Sequence, residues 1–153
     1  MSRRCGSRAA SALAVGLAAL TLAACGSSSA SPTQVRSQAT SICSRGNRQI
    51  GRIPTPSSAA GALAFLNSGI AALKPELRSL RQLSVSGDAA DVWNTAIRAL
   101  SDQLATLQST ARKIQGGADA VQSFKSLQQT LAPLETQANN AWQALQIPAC
   151  QSQ

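Results

Sequence analysis

An all-α fold, an up-down-up-down four-helix bundle over residues 32–153, is predicted by three observations. Apolar residues recur every three to four positions in four consecutive segments. No window alternates with period two in β-branched residues, so no strand is expected. Each apolar stripe is one face wide, with Gln, Ser, Thr and Arg elsewhere, so every helix must bury one side against others. Short connections such as Leu83 to Asp88 and Gln115 to Ala118 then force antiparallel neighbours.

The first helix opens at Ser31-Pro32-Thr33-Gln34, which combines an N-cap serine, proline at N1 and glutamine at N3. Val35, Ala39, Ile42, Gly46 and Ile50 form its stripe. Thr55-Pro56 repeats the start signal, and Ala59, Leu63, Leu66, Ile70, Leu73, Leu77, Leu80 and Leu83 follow in register. Asp88, with Asp91 three residues on, opens a third segment carrying Trp93, Ala96, Ile97, Leu100, Leu104, Leu107, Ala111 and Ile114. Gly116-Gly117 stops that helix, and a fourth stripe runs from Ala120 through Phe124, Leu127, Leu131, Leu134, Ala138 and Ala141 to Leu145. Pro75 and Pro133 fall inside two periods that continue in phase, so they should kink those helices rather than end them.

Residues 1–24 read as an address. Arg3, Arg4 and Arg8 precede an uncharged Ala- and Leu-rich run from Ala9 to Leu20, about a dozen residues where a membrane-spanning helix needs about 20. At its end, Leu22-Ala23-Ala24-Cys25 resembles the lipobox of bacterial lipoproteins. That resemblance implies cleavage before Cys25 and a diacylglyceryl group on its thiol. The alternative is an ordinary signal peptide cut after Ala24, which leaves Cys25 as a spare thiol in an oxidising compartment, where intermolecular pairing threatens it. Residues 25–31 are then the lipidated cysteine and a small polar tether, whose six residues from Gly26 to Ser31 reach roughly 13 Å. The expected location is the extracytoplasmic face of the cell membrane, with the lipid as anchor.

The chain carries 14 Lys and Arg against 6 Asp and Glu; without the three leader arginines, 11 basic groups against 6 acidic leave a net charge of +5. With Cys5 removed and Cys25 acylated, Cys43 and Cys150 are the remaining thiols, and they allow one bridge or two separately buried thiols. The bridge would close most of the domain into one loop, a constraint of roughly 4 to 5 kcal/mol in the chain-entropy model. It also constrains the fold. A first helix unbroken to Arg52 would leave Cys43 about 15 Å from the end of the bundle that holds the Gly116-Gly117 turn, whereas the fourth helix ends roughly 42 Å away from it. Gly46-Asn47, Gly51 and Ile53-Pro54-Thr55-Pro56 offer the resolution: no helix from about Gly51 to Thr55, with an extended climb to the second helix, while Pro148 turns the tail back toward Cys43.

The lipobox, a cysteine in the first helix, an Ile-Pro-x-Pro connection, the Gly-Gly hairpin and the terminal Leu145-Gln146-Ile147-Pro148-Ala149-Cys150 together resemble a group of small helical lipoproteins and secreted proteins of actinobacteria. That resemblance implies the bundle and the bridge and carries no activity.

Catalysis and cofactors are not expected. There is no histidine, so Ser-His, Cys-His and Glu-x-x-His arrangements are impossible, and no third soft ligand joins the cysteines to hold a metal. The acids lie in first turns or scattered, and Ser109-Lys113 at i, i+4 is a spacing that chance supplies readily. Aromatic residues make up 3% of the chain, which gives nucleic acid few stacking platforms. Arg36, Arg45, Arg48 and Arg52, in a segment without acids, are candidate contacts to anionic lipid or an envelope polymer, or else a solvated face. Trp93 and Trp142 lie 23 and 25 residues from the Gly116-Gly117 turn, on antiparallel helices and therefore at one level. They are the candidate walls of an apolar pocket, or else plugs of the core end. The expected function is a non-catalytic binding or scaffolding module of the bacterial envelope; the alternative is a carrier for a small apolar ligand held between helices. The sequence names no protein partner.

Overall fold

The computed structural model describes residues 31–151. The segment expected to be a signal peptide, Cys25 and nearly all of the expected tether lie outside the described residues. Four α-helices, α1 (Pro32–Ile50), α2 (Ala62–Arg81), α3 (Ala89–Gln115) and α4 (Ala120–Ala144), alternate in direction, and no strand occurs among the described residues. Short 3-10 turns precede α2 at Ala59–Gly61 and follow α4 at Pro148–Cys150.

Local chemistry fixes most of the boundaries. The Ser31 hydroxyl accepts the Gln34 N–H at 3.2 Å, and Pro32 takes the position where a missing N–H does no harm. After α3, Gly117 adopts φ +92°, the Gly117 N–H donates to Ile114 O, and the Ala118 N–H donates to Lys113 O, a Schellman turn that reverses the chain. Asp119 Oδ1 then accepts the Gln122 N–H at 2.8 Å to open α4. The end of α4 uses the same device with a worse residue: Gln146 takes φ +59°, and the Ile147 N–H reaches Trp142 O. Both internal prolines are accommodated, since α2 runs through Pro75 and α4 through Pro133.

Two boundaries differ from the sequence reading. The helix expected at Thr55-Pro56 begins only at Ala62. Ser57, Ser58 and Gly61 are weak helix formers with nothing large to bury, so helix propagates where Leu63 and Leu66 find a partner surface. Gly46-Asn47 does not stop α1, which continues to Ile50 and is capped by Gly51. From Gly51 to Ser58 there is no helix, as the cysteine geometry requires. This connection climbs far enough for Pro56 to share a surface depression with Ala120 and Phe124 at the start of α4.

The length of α1, 19 residues or about 28 Å, against 27 residues or about 40 Å for α3, divides the bundle into two parts. The upper core around Leu66, Ala111 and Leu127 draws on α2, α3 and α4 alone. The lower core draws on all four helices and the tail, and includes Ile42, Leu77, Leu80, Trp93, Trp142 and Ile147. Cys43 and Cys150 are bonded there, with Cα atoms 5.0 Å apart and a sequence separation of 107. Asn47 Nδ2 donates to Ala149 O at 2.9 Å beside the bridge, so the tail is fastened to α1 by a covalent bond and a hydrogen bond together.

Candidate functional site

Trp93 and Trp142 meet as the residue count predicts, with ring centroids 5.4 Å apart and planes at 84°. That edge-to-face arrangement suits the quadrupoles of the two indoles. Their environments differ. Trp93 is buried but forms part of the wall of a cleft of about 250 Å³, closed by Val35 of α1, Val85 and Val92, and by Leu145 and Ile147 beyond α4. Trp142 is fully buried and does not line that cleft. Its Nε1 is buried with no hydrogen-bond acceptor among the described residues. Trp142 is therefore a plug of the lower core, and Trp93 alone faces the space a ligand could fill.

Arg36 stands at the rim of the same cleft, and its Nε donates to Leu145 O at 3.0 Å. At about 100° per residue it lies on the opposite side of α1 from Arg45, whereas Arg45 and Arg48 share a side, with Arg52 just beyond the helix end. The four arginines are thus not one patch. Arg36 is tied to the end of α4, while Arg45, Arg48 and Arg52 are exposed and make no hydrogen bond or ion pair among the described residues.

Ser109 and Lys113 line a hydroxyl-rich groove of about 400 Å³ between α3 and α4. They form no hydrogen bond with each other among the described residues. Thr106 and Thr130 in that groove donate to carbonyls of their own helices, Asp102 O at 2.7 Å and Ser126 O at 3.0 Å, so those donors are already committed. No group of three or more metal-ligating side chains occurs among the described residues.

A second interhelical cleft, of about 410 Å³, was not anticipated. It opens beside Cys150; Leu73, Leu100, Leu107 and Leu131 of α2, α3 and α4 and Asn47 and Ile50 of α1 line it, with Glu76 and Glu135 as its charged residues. Burial pushes the Glu76 carboxyl up from 4.5 to about 7. Its carboxylate lies against Gly46 so closely that a Cβ there would overlap it. A signal existed in the spacing: Glu76 is three residues after Leu73 and four before Leu80, and Glu135 is four after Leu131 and three before Ala138, so both acids fall on apolar faces.

No family model, no curated protein and no solved structure matches this chain.

Proposed function

We propose that this protein is a lipid-anchored, non-catalytic binding module on the extracytoplasmic face of a bacterial membrane, and that it receives or carries a small apolar ligand between its helices. The observation behind the carrier reading, as against a solidly packed scaffold, is the cleft beside Trp93. A bundle serving only as a spacer has no use for a recess of about 250 Å³ walled by Val35, Val85, Val92, Trp93, Leu145 and Ile147. Pro32 and Val35 line it, so it opens where the tether enters α1. With a tether of only about six residues, the cleft would sit within roughly 13 Å of the anchored cysteine. A ligand leaving the lipid phase would have a short path, and of the two charged residues of the lining, Arg36 and Asp88, Arg36 is the one that suits an acidic head group. Arg45, Arg48 and Arg52 are the proposed contacts to anionic lipid or envelope polymer, reached when α1 lies along the surface.

Two measurements test this reading. Replacing Cys25 by alanine should move the protein from the membrane fraction to the soluble fraction and abolish labelling with alkyne-palmitate; label retained on the Cys25→Ala chain would overturn the anchor. Titrating the protein with medium-chain fatty acids should shift Trp93 emission saturably, and Trp93→Phe, with Trp142 kept, should remove the change. An emission spectrum indifferent to every acyl chain length would remove the carrier.

A further inference from the structure

We propose that the hydroxyl-lined groove between α3 and α4, beside the turn that joins them, is a binding site for a neutral sugar. Six hydroxyls line it: Thr106, Ser109 and Thr110 from α3, and Ser123, Ser126 and Thr130 from α4. Spacings of i, i+3, i+4 in α3 and i, i+3, i+7 in α4 put each set on one side of its helix. Close approach of two helices does not require hydroxyls, because alanine is as small as serine and propagates helix better. This chain uses alanine freely elsewhere, so hydroxyls on both walls need another reason.

Thr110 supplies that reason. It is 7% exposed and is the one buried polar residue among the described residues. The other threonines of α3 and α4 each donate to the carbonyl four residues back: Thr95 to Asp91 O, Thr106 to Asp102 O, Thr130 to Ser126 O and Thr136 to Ala132 O. The Thr110 hydroxyl makes no such bond and has no other partner among the described residues. Nor is its oxygen sealed in the core, because Trp142 Nε1 is the one fully enclosed side-chain polar atom without a partner among those residues. The hydroxyl therefore opens into the groove that Thr110 lines. A buried hydroxyl left unpaired costs stability, and a ligand oxygen in the groove removes that cost.

The rest of the lining selects a neutral polyhydroxyl compound. Thr106 and Thr130 have given their hydrogens to their own helices and offer lone pairs, whereas the hydroxyls of Ser109, Thr110, Ser123 and Ser126 are unpaired and can both donate and accept. The hydroxyls of a sugar need that mixture at neighbouring positions. The charged residues of the lining are one of each sign, Lys113 and Asp119, and Asp119 already caps α4 through Oδ1. An anion would meet the carboxylate and a cation the ammonium, so neither is favoured. With no aromatic side chain in the lining, recognition is by hydrogen bonds alone, and millimolar affinity is expected. The groove is separate from the Trp93 cleft and does not depend on the lipid anchor, so either proposal can fail without the other.

The test is saturation-transfer NMR on the full chain as recovered from cells, in zwitterionic nanodiscs with empty discs as blank where it is membrane-bound. The probes are the methyl glycosides of glucose, galactose, mannose and N-acetylglucosamine. At least one should bind saturably. Thr110→Val keeps the branched shape and removes the hydroxyl, so it should weaken that sugar about fivefold without lowering the melting temperature. Ser126→Ala should weaken the same sugar, and Trp93→Phe should not. Glucosamine and glucuronate, its charged relatives, should bind no more tightly than the neutral probe. A trisaccharide of the responding sugar identifies the source: tighter binding marks an envelope polymer lying along the groove, equal binding a free sugar, and both support the site. Saturable binding of none of the four probes, unchanged affinity in both groove variants, or a preference of about tenfold for either charged sugar would each overturn it. Ser126→Ala decides the matter should Thr110→Val be misfolded.

Discussion

Replacing Cys43 and Cys150 together by alanine is expected to lower the unfolding free energy by about 3 to 5 kcal/mol. The bridge joins residues 107 apart, so cutting it frees nearly the whole domain in the unfolded ensemble. Cys43 is also fully buried, and alanine there leaves a small void in the lower core. Guanidinium denaturation of the oxidised protein and the double variant measures the difference. The dependence on denaturant should steepen as well, because an uncrosslinked unfolded chain exposes more surface. A loss under 1 kcal/mol would mean that the hydrogen bonds of Asn47 to the tail and of Arg36 to the end of α4 suffice and that the bridge is incidental.

Replacing Glu76 by glutamine should stabilise the protein at alkaline pH and leave it unchanged in acid. The folded carboxyl titrates near 7 and the unfolded one near 4.5. The folded state therefore binds the extra proton between those values, and stability is fully present below about 4.5 and is lost as pH rises through 7. Taken at face value the shift corresponds to about 3 kcal/mol, but water reaches part of this side chain and screens it, so a gain of about 1 to 2 kcal/mol at pH 8 is expected for Glu76→Gln. Denaturation at pH 8 and pH 4 separates the cases. An equal effect of the substitution at both pH values would show that packing, not charge, governs this position.

Much of the fold was legible because it follows from spacing along one chain. The 3.6-residue stripes gave four helices, the Gly116-Gly117 pair gave the hairpin, and counting outward from that turn brought Trp93 and Trp142 to one level. The bridge and the non-helical climb from Gly51 were legible together, since neither is possible without the other. What was missed depends on how helices sit side by side, which periodicity does not specify. Trp93 and Trp142 lie at one level of the bundle, yet one borders a cleft and the other is sealed. Arg36 looked like part of a basic segment until the end of α4 was placed beside it. Glu76 and Glu135 stand 59 positions apart in the sequence, and only the packing of α2, α3 and α4 brings them to one recess.

The sulfur link makes the described chain, from the middle of α1 to the last turn, a covalent ring. A protease that cuts the exposed connection between Gly51 and Ser58 would open this ring without releasing a fragment, and α1 would stay attached to the hairpin through Cys150. Under oxidising conditions the nicked molecule would gain only the one water of hydrolysis and would come apart into two pieces only on reduction. Backbone integrity in the longest connection is thus not what holds the first helix in place.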